Sequence, residues 1–206
     1  MSGDTTRAAL IDAAERLFAR DGFEGASLRE IMREAGANPA SVHYHFGGKD
    51  GLLEAVLDRV VEPITRRRLE LLTALRAESG DDPLPLRPLL DAFLRPDLEA
   101  IEALQARGPG RATLVGRAYG QPDEVVRAVV ARQFDPVGAE FFPEFGRTLP
   151  DVDPDDLQWR LRWCVVGVII AMFSNADELD GPVDDPELTL RRLVDFVAAG
   201  LAAHDP

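Results

Sequence analysis

Residues 38–53 of the chain are NPASVHYHFGGKDGLL, and this segment decides the fold of the N-terminal part. Asn38 is a good N-cap, and Pro39 suits the first helical position, where its missing N–H leaves no hydrogen bond unmade. A pair of glycines follows Phe46, and glycine readily adopts the conformations that end helices. The segment therefore predicts a short helix from about Pro39 to Phe46.

The two histidines of this segment, His43 and His45, raise the question of a metal site. On a helix, side chains two residues apart point about 200° away from each other, so the two rings cannot share an ion. In helical projection Val42 and Phe46 face the core, Tyr44 faces outward, and the histidines lie on the two borders. The outward face is small, polar and aromatic and has no acid, which suits insertion into a DNA major groove. The spacing predicts neither a metal nor a cofactor site. The alternatives are a plain exposed aromatic for Tyr44 and a hydrogen bond within the small domain for His45.

The preceding residues predict two more helices. Apolar residues at i, i+3, i+4, i+7 and i+8 indicate a first helix that ends at Gly22, with Phe23 packed behind the cap. The stretch from Ser27 to Glu30 is a capping box, in which the serine and glutamate side chains satisfy each other's backbone donors. Gly36 provides the turn before the third helix. Two short helices joined by a glycine turn, with a helix before them, predict a helix-turn-helix.

The remainder of the chain is also predicted to be helical. A long helix is predicted from about Lys49 to Glu78, with Pro63 as a possible kink, followed by a loop at 79–85. Further helices are predicted at about 86–106, 111–119, 122–147, 154–178 and 186–203. Three prolines are predicted to kink or break them, Pro96, Pro136 and Pro143. The fold class is therefore all-α, with a helix-turn-helix domain at residues 1–48 and a larger helical domain at residues 49–206.

The composition predicts a soluble cytoplasmic protein without a membrane partner. With 46% hydrophobic residues the chain can bury a core. The longest apolar run, Trp163 to Phe173, is too short to cross a bilayer, and the N-terminus has no signal-peptide pattern. The single cysteine, Cys164, lies in that run, where we expect inert core rather than a redox switch.

The net charge of −13 argues against a nucleic-acid partner, but its distribution weakens this objection. Most of the acidic residues lie beyond residue 78. No acid occurs between Glu34 and Asp50, so this window could face phosphate.

The N-terminal motifs resemble those of the tetracycline-repressor (TetR) family of transcriptional regulators. The resemblance covers roughly residues 6–55. It is carried by Phe18, Gly22, Phe23, residues 27–31 and 35–36, and above all by residues 42–53. The family pattern here is a serine-rich cap followed by Leu-Tyr-x-His-Phe-x-x-Lys-x-x-Leu. Asn38 stands where serine is common, which conserves the cap. His43 stands where a phosphate-contacting tyrosine is common, although an imidazole can still donate a hydrogen bond there.

The resemblance implies how this segment meets DNA. Ser27 and Lys49 would bind phosphates, and His43 would border the backbone. The residues after the cap, together with Tyr44, would meet base edges or thymine methyls. Arg29 would add a contact, or is simply an exposed helix arginine. The candidate DNA-contact residues are Ser27, Arg29, Asn38, Pro39, Ala40, Ser41, His43, Tyr44 and Lys49.

For residues 49–206 the resemblance implies a ligand-binding and dimerisation domain. Apolar stripes on the last two helices predict a four-helix interface with a second copy, unless both helices lie inside a monomer. The interface candidates are Trp159, Val166, Ile170, Leu190, Leu193, Val194, Val197 and Leu201. An apolar cavity with polar anchors is expected from Phe93, Leu114, Arg117, Tyr119, Gln133, Phe134, Phe141, Phe142, Trp163 and Asn175.

These observations predict a ligand-responsive, DNA-binding transcriptional regulator. The expected form is a homodimeric repressor that leaves a palindromic operator when a small hydrophobic molecule binds. The alternative is a helical interaction or ligand-sensing protein that has lost sequence-specific DNA binding. An enzyme is not predicted, because the sequence has no nucleophile elbow, phosphate-cradling glycine loop or paired histidines at i and i+4.

Overall fold

A computed structural model describes residues 3–38, 40–120, 124–176 and 185–203, and every regular element within these ranges is helical. The α-helices are α1 (Gly3–Gly25), α2 (Leu28–Glu34), α3 (Ala40–Phe46), α4 (Lys49–Ser79), α5 (Leu86–Ala106), α6 (Arg111–Gly120), α7 (Glu124–Thr148), α8 (Pro154–Arg160), α9 (Gly167–Ser174) and α10 (Pro186–Leu201). A π-helical segment, Leu161–Val166, joins α8 to α9. The predicted all-α fold class is confirmed.

The prolines at which the sequence predicts kinks or breaks lie inside continuous helices. Pro63 lies inside α4, Pro96 inside α5, and Pro136 and Pro143 inside α7. At the last three positions, where the sequence predicts a kink or a break, the helix is therefore not broken. Pro96 is buried, so the packing of α5 against the core outweighs the one backbone hydrogen bond that a proline removes.

The first helical stretch of α1 ends at Gly22, as the sequence predicts, and a short second stretch continues to Gly25. This residue interrupts the helical conformation with φ of 75°, which glycine adopts without strain. The ring of Phe23 then packs edge-on against Phe18, with ring centroids 5.5 Å apart. This contact is the one that typically accompanies a glycine C-cap. It sets the direction in which the chain approaches α2.

Two apolar cores meet inside the long helix α4. Residues of α4 up to Leu57 pack with α1, α2 and α3 in the smaller core. From Val60 onward, α4 packs with the remaining helices in the larger core. One continuous helix thus belongs to both cores.

The stretch Pro154–Ser174 is long and apolar enough to cross a membrane by length and composition alone. In the fold, α9 packs against α6, and the π-helical segment packs against α10. Its buried residues recur about every four positions, for example Leu157, Leu161, Val165 and Ile169. One side of this stretch is therefore packed in the larger core.

Candidate nucleic-acid interface

The helix α3 presents the face that the helical projection predicts. Val42 is fully buried in the smaller core, whereas the side chain of Tyr44 is 84% exposed. Ala40 and His43 are also exposed, and Ser41 is half-buried. Pro39 lies outside the described residues. The outward surface of α3 is therefore small, polar and aromatic, and it carries no carboxylate.

The caps of α2 and α3 hold the two helices in place. The Ser27 hydroxyl accepts a hydrogen bond from the Glu30 backbone N–H at 3.1 Å. The Asn38 side-chain oxygen accepts from the Ala40 backbone N–H at 2.9 Å. Both predicted N-caps are confirmed. The reciprocal half of the predicted capping box is wrong, because the Glu30 carboxylate pairs instead with Arg20 at 3.1 Å and with Arg33 at 3.5 Å.

Lys49 lies at the N-terminus of α4, beside the turn between α1 and α2. Its ammonium lies 4.6 Å from the centroid of the Phe23 ring and donates to the Glu24 carbonyl at 3.3 Å. Both contacts fix the position of the charge without neutralising it with a carboxylate. A fixed cation at a helix N-terminus is a suitable arrangement for binding a phosphate.

The two histidines lie where their spacing indicates, on different sides of α3. His43 is exposed, whereas His45 is half-buried and packs edge-on against Tyr44, with ring centroids 4.9 Å apart. The contacts of His45 are aromatic, rather than the hydrogen bond considered from the sequence. Across the described ranges, no group of three or more His, Cys, Asp or Glu residues could hold a metal ion.

A further cation near this surface was not recognised from the sequence. The Arg7 guanidinium lies 5.4 Å from the centroid of the Phe46 ring, so the start of α1 lies against the end of α3. Arg29, which the sequence suggested, is exposed on α2. No sequence signal points to Arg7, because its contact spans 39 positions and depends on the tertiary packing of α1.

A buried carboxylate connects the helix-turn-helix unit, α1 to α3, to the larger core. The side chain of Glu15 in α1 is only 2% exposed and contacts Arg59 of α4. It also accepts from Arg111, at the start of α6, at 2.7 Å and from Arg107, after α5, at 3.1 Å. Arg59 pairs in addition with Asp12 at 2.5 Å. Three arginines from the larger part of the molecule thus converge on one acidic side chain of α1.

The same junction is closely packed. A Cβ atom at Gly110 would lie 3.1 Å from the Ala19 carbonyl oxygen, so the start of α6 approaches the backbone of α1. Leu114 of α6 is buried in the smaller core, among the residues of α1 and α4. The prediction that Leu114 lines a ligand cavity is therefore wrong, because this side chain anchors α6 to the helix-turn-helix unit.

The predicted ligand-cavity residues do not converge on one site. Phe93 and Phe141 are buried and pack edge-on, 4.9 Å between ring centroids, so they fill the core. Trp163, Phe142, Arg117 and Asn175 are exposed, and the Asn175 amide donates to the Ala171 carbonyl. These four assignments need correction, because the side chains point away from the larger core. The side chains of Tyr119, Gln133 and Phe134 lie outside the described part of the structure.

A surface groove of about 640 Å³ lies elsewhere, between α4, α5 and α10. None of the predicted cavity residues with described side chains lines it. Its apolar walls are Leu71, Ala74, Leu75, Pro88, Ala92 and Val194. The remaining lining residues are charged: Glu78, Arg87, Asp91, Arg191 and Asp195.

An apolar surface covers the outer side of the last helices. Trp159 and Trp163 are 60% and 61% exposed, and Phe196 of α10 is 66% exposed. Val166 and Ile170, further along the same stretch of chain as the tryptophans, and Leu193 of α10 are half-buried. Four other predicted interface residues, Leu190, Val194, Val197 and Leu201, are buried in the core of the same chain. The prediction that these four residues form the dimer interface is therefore wrong, because the apolar stripe of α10 faces the core of its own chain. Phe196 lies outside that stripe and is exposed.

Comparison with known proteins places these observations in a family. The model for bacterial regulatory proteins of the tetR family matches residues 10–56. The model for the tetracyclin repressor-like C-terminal domain matches residues 91–200, more than half of the chain.

Curated relatives match mainly the N-terminal region. The nicotine-responsive transcriptional repressor HdnoR of Paenarthrobacter nicotinovorans is 47% identical over 60 residues, which are 29% of this chain and 31% of the relative. The regulator BetI of Burkholderia cenocepacia is 33% identical over 99 residues, 43% of this chain and 51% of the relative. The chain thus spans between about a third and about half of the length of these relatives.

Solved structures match nearly the whole chain. The TetR-family regulator SCO4454 of Streptomyces coelicolor has a TM-score of 0.59 and 25% identity, over 96% of this chain and 95% of the other. The fatty acid degradation regulator FadR of Bacillus halodurans has a TM-score of 0.66 at 14% identity, over 97% of both chains, and supports the fold alone. With both family models matched, this chain belongs to the TetR family of DNA-binding transcriptional regulators.

Proposed function

We propose that this protein is a cytoplasmic, homodimeric repressor that binds a palindromic operator and leaves it when a small hydrophobic molecule binds. The observation that carries the proposal is the outward face of α3, where exposed Tyr44 and His43 lie near the fixed cation Lys49. This surface contains no acid although the chain has a net charge of −13. It acts by binding, without a catalytic step.

The predicted DNA contacts fall into two groups. Ser27, Asn38 and Lys49 lie at the N-terminal ends of α2, α3 and α4, where backbone N–H groups and helix dipoles favour phosphate. The second group would read the bases. It consists of the surface of α3, formed by Ala40, Ser41, His43 and Tyr44, together with Pro39 before that helix and Arg29 on α2.

A dimer is required because one copy of α3 contacts only half of a palindromic site. The exposed surface of Trp159, Trp163 and Phe196, together with half-buried Val166, Ile170 and Leu193, supports an interface between two copies. Large exposed aromatics are the residues that most often carry the binding energy of an interface. The two-fold axis would place two α3 helices in successive major grooves, about 34 Å apart.

Effector binding would cause release from the operator through α4 and through the ion pairs that Glu15 makes with Arg59, Arg107 and Arg111. Both connect the larger core, where an effector binds, to the helix-turn-helix unit. An effector that prefers a different arrangement of α4 shifts the population towards dimers whose α3 helices no longer fit the operator. A relative that is named nicotine-responsive supports ligand control in general, without identifying the effector.

The test is selection of binding sites from random double-stranded DNA, followed by titration of the selected site at several salt concentrations. We expect a palindrome whose affinity falls steeply with salt. Tyr44→Ala should weaken binding by about 1–3 kcal/mol and relax the sequence preference, whereas Lys49→Ala should reduce the salt slope by about 1.

Two matched variants serve as controls. Phe142→Ala removes an exposed aromatic of α7, and Arg66→Ala removes an exposed cation of α4 away from the helix-turn-helix unit. Neither should change the affinity. If no preferred sequence emerges, the chain is the helical interaction protein that the sequence left as the alternative. If a preferred sequence is bound equally by both test variants, the assignment of contacts is wrong.

A further inference from the structure

Arg7, in the second turn of α1, is an exposed cation that lies against the end of α3. Its guanidinium lies 5.4 Å from the centroid of the Phe46 ring, within the range of a cation–π contact. Gly3, one turn earlier, also borders α3, because a Cβ atom there would lie 3.8 Å from the His45 Cε1 atom. The start of α1 therefore follows the end of α3, and Arg7 adds a positive charge at that edge.

Three other arginines of α1 and α2 are paired with carboxylates of the same two helices. Arg16 pairs with Glu34 at 2.6 Å. Arg20 pairs with Glu30 at 3.1 Å, and Arg33 lies 3.5 Å from the same carboxylate. The field of a paired arginine is largely cancelled by its partner beyond a short distance. These arginines connect the helices to each other and are poor candidates for phosphate contacts.

In the described part of the chain up to Lys49, three lysine or arginine side chains form no ion pair with a carboxylate. Two of them, Arg29 and Lys49, are candidate DNA contacts from the sequence. The third is Arg7, and Asp4, the acid nearest to it along the chain, forms no ion pair with it. The absence of a carboxylate partner therefore groups Arg7 with the candidate DNA contacts and separates it from the paired arginines.

The contact with Phe46 does not by itself require an arginine. The ring is half-buried, and an unbranched apolar side chain such as methionine would cover it too. What arginine adds is a charge that the ring holds in place, as the ring of Phe23 holds Lys49. A side chain that is already positioned loses less conformational entropy when it binds an anion.

Arg7 and Lys49 are too far apart to bind one phosphate. Lys49 lies against Phe23, directly after the glycine that ends the first stretch of α1. The helix between residues 7 and 22 is roughly 22 Å long, at about 1.5 Å per residue. The major groove is about 12 Å wide, so two cations at such a separation can each contact one of the backbones that border it.

We propose that Arg7 is a further DNA-contact residue, which binds a backbone phosphate across the major groove from the phosphate bound by Lys49. This inference rests on the DNA binding proposed above and adds a contact on α1, outside α2 and α3. A phosphate contact carries no sequence information, so Arg7 fixes the position of α3 in the groove and does not select bases. Because α1 also carries Glu15, one helix then joins the DNA backbone to the arginines of the larger part of the molecule.

The test is titration of the full chain with the selected palindrome and with a scrambled duplex of the same length, at several salt concentrations. Arg7→Met keeps an apolar side chain over the Phe46 ring but removes the charge. It should weaken binding to both duplexes by a similar factor, about tenfold at about 100 mM salt. The slope of log K against log salt should fall by about 1 for each half-site.

Two matched variants separate the charge from the packing. Arg7→Lys keeps a cation and should retain the wild-type salt slope. Arg16→Met removes an arginine of the same helix that is 46% exposed but paired, and it should change neither affinity nor slope. If Arg7 only packs against Phe46, Arg7→Met will bind both duplexes as wild type does, and the proposal is overturned. A loss confined to the palindrome would make Arg7 a base reader and would overturn the phosphate assignment.

Single methylphosphonate substitutions, each of which removes the charge of one phosphate, locate the contact. One substitution per half-site should weaken wild-type binding and have no further effect on Arg7→Met. It should lie across the major groove from the substitution to which Lys49→Ala is insensitive, and a shared position would contradict the proposal. Wild-type protein that bound neither duplex would overturn the proposed repressor together with this contact. Wild-type binding with an unchanged slope in Arg7→Met would overturn the contact alone.

Discussion

His43 is the residue at which this chain departs most clearly from the family pattern. It is exposed on the border of α3, and the family commonly has a phosphate-contacting tyrosine there. His43→Tyr should retain or strengthen operator binding, because the phenol is also a hydrogen-bond donor. His43→Phe removes the donor and should weaken binding by about 1 kcal/mol, measured by the same salt titration. Equal affinity for the two variants would show that residue 43 does not contact the backbone.

For single residues, the sequence predicts those contacts that involve close neighbours along the chain. Ser27 and Asn38 cap their helices as expected, because each bonds to a backbone N–H two or three residues away. Glu30 departs from its capping role because Arg20, ten residues earlier, is brought beside it by the packing of α1 on α2. Local spacing cannot show such a competing partner.

Among the elements, the junction of α1 with α4, α5 and α6 depends on Glu15. Glu15→Ala should destabilise the fold by about 3 kcal/mol, since it removes the buried partner of three arginines. Asp12→Asn is the matched control, because Asp12 is 51% exposed and pairs with Arg59 alone. It should cost less than about 1 kcal/mol. Urea unfolding measures both, and similar small losses would show that Glu15 does not hold the junction.

A second element-scale prediction concerns the contact between α6 and α9. A Cβ atom at Gly116 would lie 2.4 Å from the Ser174 backbone nitrogen, so only glycine permits this approach. Gly116→Ala should lower the free energy of unfolding by at least about 2 kcal/mol, because the backbones must separate. Gly146→Ala in α7 meets nothing within 4 Å and should be neutral or stabilising by up to about 1 kcal/mol. A stable Gly116→Ala variant would show that the two helices are packed more loosely.

Helix positions were predictable, whereas their partners were not. The ranges of α4 and α5 differ from the predicted ones by at most one residue, because apolar periodicity and caps are local signals. The surroundings of Leu114 and Trp163 were mispredicted, because apolar character alone does not show which neighbour a side chain meets. Leu114 packs against the helix-turn-helix unit, and Trp163 faces outward.

Across the whole molecule, the acidic residues are concentrated in one part of the chain, whereas the packing joins both parts. Most acidic residues belong to the larger part of the chain, which must stay clear of DNA. The apolar cores instead join within α4. Three arginines, one on α4, one directly after α5 and one on α6, hold α1 through Glu15. The acidic part of the chain repels phosphate, whereas the junction sets the position of α3. We therefore expect DNA binding to depend on the orientation of the helix-turn-helix unit rather than on overall charge.

Dimerisation should depend on the exposed aromatic surface of the last helices. Trp163→Arg places a charge at a side chain that is 61% exposed in the single chain, so the protomer should remain folded. In the dimer that charge would be desolvated, and we expect monomers in sedimentation equilibrium at micromolar concentrations. Operator affinity should fall by at least about 100-fold, since a monomer contacts one half-site. Phe142→Arg, at an aromatic residue of α7 that is 45% exposed, should leave both mass and affinity unchanged. A Trp163→Arg protein that remains dimeric would place the interface on another surface.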